Sequence, residues 1–235
     1  MKYLERVSVP SPYKSQNLDS ISHISHGFGA RGVDLAAYLD SKGIKDRFIH
    51  RTNQIHGNCV HYLMRPRKVG VLKGDAFITD RPGLVCFVRT ADCVPILIAD
   101  AKRPAVAAVH AGWRGTALQI VCETLRAMNA SFGTNAADCL AAIGPRICGS
   151  CYEVKGDVIE AMSNLKLADS WRTCDTKVDL GEANRLLLER SGVLPINISI
   201  LPQCTFCDNS FASYRRDKDE NERQFNFIVI KGMSS

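Results

Sequence analysis

Several things are missing from this 235-residue chain. No apolar run approaches the roughly 20 residues that a helix needs to cross a bilayer, so no membrane role is expected. The opening MKYLERVSVPSPYKS has no continuous apolar stretch. No secretory leader is therefore expected, and the protein is read as cytoplasmic. There is no GxGxxG and no GxxxxGK(S/T), which leaves neither a dinucleotide turn nor a P-loop to build on. Repeats, low-complexity tracts and linkers are absent too, and the glycines and prolines mark isolated turns. One domain over 1–235 is the economical reading.

What is present is enough for a sizeable core: 46% of residues are hydrophobic. The net charge of +6 is scattered, apart from short clusters at 65–68 and at Arg215-Arg216. That pattern fits a solvated surface better than a nucleic-acid groove. Ten cysteines without a leader are expected to be reduced thiols. Cys86, Cys122 and Cys139 lie in apolar segments, where cysteine packs as a small hydrophobe.

Short apolar β-rich runs occur at 84–88, 95–99, 105–109, 140–143, 196–201 and 225–230. Helical periodicity is clearest at 116–128, with further helices expected at 154–165 and 181–190, the last stopping at Ser191-Gly192. The alternation lacks the rhythm of a doubly wound protein, so an α+β domain with mixed sheets fits better.

Three segments concentrate reactive side chains at the ends of apolar runs: NQIHG (53–57), RTADCVP (89–95) and HAGWRG (110–115). His56, Cys93 and His110 would make a three-ligand metal site with an open fourth position, the arrangement of catalytic zinc. The ligands are far apart in sequence, so three strand ends would have to converge. Taken singly, His56 reads as a hydrogen-bonded structural histidine, and Cys93 reads equally as a core thiol or a ligand. The same residues also suit a cysteine nucleophile with His110 as its base. Gly112 and Gly115 suggest a tight backbone approach beside His110. Asp75 in KGDAF is either a turn residue or part of the site.

Arg114 opens an expected helix, where it and the first amides could hold an anion. Arg31 lies in the glycine-rich GFGARG (27–32), and Arg215 and Arg216 lie in SYRRD (213–217), which also reads as a surface ion-pair cluster. The pairs Cys148/Cys151 and Cys204/Cys207 are CxxC motifs too far apart for a zinc ribbon. They are expected to be mainly structural, with a second metal or redox role the lesser expectation.

In order from residue 53 to 217, the chain carries QIHG, GDAFITD, TADCVP, VHAGWRG, IGP, CYEV, Asp179-Leu180 with Asn184, CT and SYRRD. In these motifs it resembles the laccase-domain family, described as zinc-dependent purine nucleoside phosphorylases. That family is also called polyphenol oxidase, and one branch is described as a peptidoglycan editing factor. The resemblance implies one domain layered α-β-β-α, with His56, Cys93 and His110 as ligands to zinc, copper being the secondary candidate. It implies phosphorolysis of adenosine, inosine and 5′-methylthioadenosine, and also hydrolytic deamination of adenosine. The partners so implied are purine nucleosides and phosphate. Asp75, Asp92, Cys93 and Arg114 then form the expected catalytic set, with Arg31 and Arg114 on phosphate and Trp113 or Phe28 stacking on the purine.

Two segments depart from the family pattern. HGFGARGVD (26–34) stands where FSTRxGGVS is common, and NERQ (221–224) replaces a Gly-Arg pair while keeping Arg223 matched. Three other functions compete. A copper polyphenol oxidase would need more histidines than the six present. A cysteine hydrolase would use Cys93 and His110 on an amide of a cell-wall precursor, and a non-catalytic binding module would leave an open metal site unexplained.

Overall fold

The strand Val94–Asp100 is buried at all seven positions, and its antiparallel neighbour Val106–Ala111 at all six. A strand covered on both faces has no polar side to show, which is why these segments read as unbroken apolar runs. Successive residues feed different cores. Ile96, Ile98, Ala107 and Val109 pack under helices, whereas Leu97, Ala99, Val106 and Ala108 pack against the second sheet.

The structure is a computed structural model that describes residues 11–44, 47–66 and 70–232. The first ten residues, part of the segment read for a leader, lie outside the described residues, as do Arg67 and Lys68 of the basic cluster. Among the described residues, no helix is long and apolar enough to cross a membrane.

Six strands form the larger sheet, in the order Ile198–Ile200, Cys139–Ile143, Val94–Asp100, Val106–Ala111, Ala76–Thr79 and Val60–Tyr62. The smaller sheet runs Ile24–Phe28, Gln224–Ile230, Leu84–Thr90 and Phe48–Ile49. Both mix parallel and antiparallel pairs. In the smaller sheet Leu84, Cys86 and Val88 face the larger one. Val85, Phe87, Phe227 and Val229 face away, under Leu35, Tyr38 and Leu39 of the helix Leu35–Ser41. On the far side of the larger sheet lie Ile120–Phe132 and Leu180–Arg190. The layers are thus α-β-β-α in a single α+β domain.

Most expected elements form with shifted ends. The expected strand 196–201 shortens to Ile198–Ile200 because Pro195–Asn197 winds into a 3₁₀ turn. The expected helix 154–165 contracts to Gly156–Ser163. Asp179 caps Leu180–Arg190 by accepting from the Glu182 amide at 3.0 Å, a contact worth about 1 kcal/mol. That helix ends at Arg190 with Ser191 as its C-cap, and Gly192 at φ +98° turns the chain away.

The expected helix 116–128 is corrected. Two helices occupy the region, Trp113–Ala117 and Ile120–Phe132, broken where Gln119 adopts φ +58°. The apolar face of the second helix is Val121, Cys122, Leu125 and Met128, whereas Leu118, counted on that face from sequence, is half exposed. Asn184 ties the first helix down by donating from its buried amide to Thr116 Oγ1 at 2.9 Å.

Candidate metal centre and its cleft

Cys93 immediately precedes the strand Val94–Asp100, and His110 lies near the end of Val106–Ala111. The antiparallel register sets Pro95 opposite His110 and Val94 opposite Ala111, so thiol and imidazole reach the same edge of the sheet. Asp75 precedes Ala76–Thr79, which pairs with the other side of the histidine's strand, and its carbonyl accepts the His110 amide at 2.7 Å. His56 arrives on a loop after the short strand Thr52–Asn53.

One buried carboxylate organises both histidines. Asp75 Oδ1 accepts from His110 Nδ1 at 2.8 Å and from the His56 amide at 2.9 Å. Its Oδ2 accepts from the Gly57 amide at 2.8 Å and the Ile55 amide at 3.2 Å. An ionised carboxylate only accepts, so the His110 proton stays on Nδ1 and Nε2 is left for a ligand. The amide bonds also hold His56 at φ +57°, a left-handed conformation that a non-glycine residue keeps only when its surroundings impose it.

The donor atoms of His56, Cys93 and His110 all lie within 4.8 Å of one another. The two imidazoles meet edge to face, 4.8 Å between centroids. Gly112 closes one side: a Cβ there would stand 3.1 Å from Cys93 Sγ and 3.2 Å from His56 Cδ2. Two imidazoles and a thiolate, one imidazole backed by a carboxylate, fit a divalent transition-metal ion with three protein ligands.

Electrostatics favour the metal-ready thiolate. Burial pushes the Cys93 thiol up, but the charge and hydrogen bonds of His110 and His56 outweigh it and bring it down to about 6. Burial pushes His110 down, and the Cys93 thiolate and Asp75 outweigh that, raising it to about 9. Asp75 is pushed up by burial, yet the His110 bond and the Gly57 and His56 amides hold it below the usual carboxylate range. Thiol and imidazole thus each favour the other's charged form, and a metal ion held by these donors would displace a proton from them.

The centre opens into a cleft of about 510 Å³, bordered by Gln54, Arg89, Tyr214, Asn221 and Arg223. Sequence reasoning missed Gln54, Arg89 and Tyr214. Arg89 is the one exposed position in the strand Leu84–Thr90. Gln54 fixes that backbone, donating to the Arg89 carbonyl at 2.8 Å and accepting its amide at 2.7 Å. Tyr214 is 44% exposed with the Arg223 guanidinium 6.0 Å from its ring centre. The available signal was an aromatic inside SYRRD, a motif read only for its arginines.

The remaining expected residues do not border this cleft. Arg114 is exposed and lies over the Trp113 ring at 4.3 Å, and neither borders the cleft. Phe28 is wholly buried between the sheets with its ring over Gly144, so the stacking role suggested for it is corrected. Arg31 is also outside the cleft, pairing with Asp217 and with Glu222 at 3.1 Å and donating to the Phe211 carbonyl. Asp92 is buried at φ +85°, where its carboxylate accepts from Thr205 Oγ1 at 2.7 Å and from the Arg215 amide at 2.6 Å. These bonds hold the turn that precedes Cys93. Arg215 lies over Tyr152, while Arg216 pairs with Asp217 and donates to the carbonyls of Thr205, Phe206 and Phe211.

The profile of the family described as multi-copper polyphenol oxidoreductase laccase matches residues 10–231. A Deinococcus radiodurans protein named purine nucleoside phosphorylase is 36% identical over 222 residues, covering 93% of this chain and 83% of its own length. A Bacteroides thetaiotaomicron protein of the same name is 40% identical over 164 residues, 66% of this chain and 60% of that one. Among solved structures, the hypothetical protein YfiH of Bacillus licheniformis superposes with a TM-score of 0.84 at 29% identity, covering 96% of this chain and 98% of its own.

Proposed function

The chain belongs to the multi-copper polyphenol oxidoreductase laccase family, and from that premise we propose that it is a zinc-dependent purine nucleoside phosphorylase. The observation that carries the reading is the convergence of His56, Cys93 and His110 at the head of a cleft that also presents Arg89, Arg223 and Tyr214. The names carried by the Deinococcus and Bacteroides relatives support it.

The donors that would hold the ion are His56, Cys93 and His110. When bound, zinc supplies a Lewis acid that polarises an oxygen of substrate, phosphate or water. Asp75 keeps His110 in the tautomer that can ligate, and Asp92 keeps Cys93 aimed at the same point. Arg89 and Arg223 bind phosphate, which takes charge-assisted bonds from planar guanidinium groups. Tyr214 offers an exposed face on which a purine stacks. The substrates in this reading are adenosine, inosine and 5′-methylthioadenosine, cleaved to free base and a ribose 1-phosphate. Deamination of adenosine would instead bring water to C6 of the purine, with ammonia leaving.

Multi-copper oxidation asks for an electron-transfer copper and a separate oxygen-reducing cluster, both rich in histidine. Six histidines in the whole chain do not furnish that set. Among the described residues, only His56 and His110 belong to a metal-capable group.

One observation favours a second reading. The Cys93 thiol, brought down by an adjacent His110 whose own value is raised, is also the arrangement of a cysteine nucleophile and its acid–base partner. Metal stoichiometry and base release decide between them. Protein purified without added metal should carry zinc at His56, Cys93 and His110, lost in His110→Ala, and should release adenine from adenosine only when phosphate is present. A metal-loaded enzyme that releases no base in phosphate would refute the phosphorylase. A metal-free enzyme inactivated by alkylation of Cys93 would establish the hydrolase.

A further inference from the structure

The strands Cys139–Ile143 and Ile198–Ile200 run parallel, with Ala141 opposite Ile198 and Ile143 opposite Ile200. Their chains therefore leave the sheet side by side, in the same direction. Arg146 and Cys204 continue the pairing as a parallel bridge, with the Thr205 amide donating to the Arg146 carbonyl at 3.0 Å. Each exit carries a CxxC pair, and the four sulfurs of Cys148, Cys151, Cys204 and Cys207 all lie within 4.8 Å of one another. The two pairs, expected to be mainly structural with a second metal or redox role the lesser expectation, thus form one cluster.

Four sulfurs about 2.3 Å from a central zinc form a tetrahedron with edges of about 3.8 Å. The observed cluster has that scale: Cys151 Sγ lies 3.4 Å from Cys207 Sγ, beyond the roughly 2.05 Å of a disulfide. The Cys148 amide donates to Cys204 Sγ at 3.3 Å, a bond that supports a thiolate. Gly149 lets the first knuckle sit down, since a Cβ there would come within 2.6 Å of Thr173 Oγ1 and 2.8 Å of Asp179 Cβ.

We propose that Cys148, Cys151, Cys204 and Cys207 form a second, closed zinc site that staples the 146–151 and 203–207 segments together behind the Cys93 turn. Four thiolates leave no open position, so this ion is structural. Its contribution to the first centre runs through Asp92. The Ile147 amide donates to the Asp92 carbonyl at 3.1 Å, and Thr205 Oγ1 donates to the Asp92 carboxylate. Both stapled segments thus grip the residue whose left-handed turn aims Cys93.

The test is zinc stoichiometry with cobalt(II) substitution as a spectroscopic readout. Native protein should carry two zinc ions per chain, and His110→Ala and Cys207→Ser should each carry one. The cobalt-loaded His110→Ala protein should keep the intense bands of tetrahedral tetrathiolate cobalt, and the Cys207→Ser protein should lose them. Should Cys207→Ser fail to fold, titration of His110→Ala with an organomercurial settles the point: one zinc should be released as Cys148, Cys151, Cys204 and Cys207 are modified. Their modification is read by peptide mass because the exposed Cys59 and Cys174 also react. A protein that releases no zinc as these four are modified overturns the proposal. A native stoichiometry of one zinc, unaffected by Cys207→Ser, overturns the proposal while leaving the first centre intact. So does a chain whose mass shows these cysteines oxidised in pairs with no zinc between them.

Discussion

Replacing Asp75 by asparagine preserves the side chain's volume and converts one acceptor oxygen into a donor. In the native protein each carboxylate oxygen takes two donors, His110 Nδ1 with the His56 amide on one and the Gly57 and Ile55 amides on the other. If the new NH₂ group faces Gly57 and Ile55, two amides lose their acceptor. If it faces His56 and His110, the His56 amide is orphaned and His110 must move its proton to Nε2, the nitrogen needed by the metal. Asp75 is fully buried, so water cannot repair either arrangement. An unpaired buried donor costs about 1–3 kcal/mol, which makes about 2–6 kcal/mol for two. At about 2–4 °C per kcal/mol for a chain of this length, Asp75→Asn should lower the melting temperature of chelator-stripped protein by on the order of 10 °C. Zinc affinity, read by competition with a chromophoric chelator, should fall about 10- to 100-fold, as for loss of a carboxylate behind a ligating histidine. The pH dependence carries its own sign. Asp75 is held below the usual carboxylate range, so its contribution is present above its unfolded value of about 3.9 and fades as pH falls through the lower folded value. The gap between native and variant should therefore narrow in acid. A variant melting within about 1 °C of the native protein, with unchanged zinc affinity, would show that the carboxylate organises neither histidine.

Three further outcomes follow from the same geometry. In stripped protein, alkylation of Cys93 followed by peptide mass should rise through a midpoint near pH 6, where the thiol titrates; in His110→Ala the midpoint should climb toward the ordinary thiol value of about 8.5, and a native midpoint already there contradicts the assignment. Gly112→Ala should leave the fold intact, since Gly112 has φ −72°, yet weaken zinc by on the order of tenfold because the new methyl crowds Cys93 and His56; a change in stability without a change in zinc affinity would place the crowding elsewhere. Arg89→Ala and Arg223→Ala should each raise the KM for phosphate by roughly 10- to 150-fold, the equivalent of about 1.5–3 kcal/mol for a charge-assisted bond, with zinc content untouched. An unchanged phosphate KM in both variants removes these arginines from the phosphate site.

The sheets were legible because both faces of Val94–Asp100 and Val106–Ala111 are covered, which forces an apolar signature that needs no partner to be recognised. The helix break at Gln119 was not, because glutamine carries no sign that it will adopt φ +58°. Spacing alone said little about His56, Cys93 and His110; their motifs drew attention to them, and the antiparallel register brings Cys93 and His110 to one edge. The four-cysteine cluster was hidden by topology. Cys151 and Cys204 are separated by a helix, a hairpin, a second helix and the strand Ile198–Ile200, and only the parallel pairing of that strand with Cys139–Ile143 shows that their chains exit together. Arg31 was singled out for its glycine-rich neighbourhood, and sequence could not show that its guanidinium pairs with Asp217 and Glu222.

The two halves of the centre are built with different tolerances. Asp75, Cys93 and His110 sit at or beside the ends of buried strands, and even the looped His56 is tied by its amide to Asp75. Small displacements of a ligand are costly, so donors belong on elements that cannot drift. Arg223, Asn221 and Glu220 border the same cleft from the exposed connection between Tyr214–Asp217 and Gln224–Ile230. No strand pairing within that connection fixes its path to the centre, and it contains Asn221, Glu222 and Arg223 of NERQ, where the chain departs from the family pattern. Change there alters what the cleft recognises without disturbing the donors. Exchanging 219–222 for the Gly-Arg form while retaining Arg223 should therefore reorder kcat/KM among adenosine, inosine and 5′-methylthioadenosine at native zinc content. If zinc is lost while the nucleoside ranking stays fixed, the connection supports the metal donors rather than the substrate, and this division of labour is wrong.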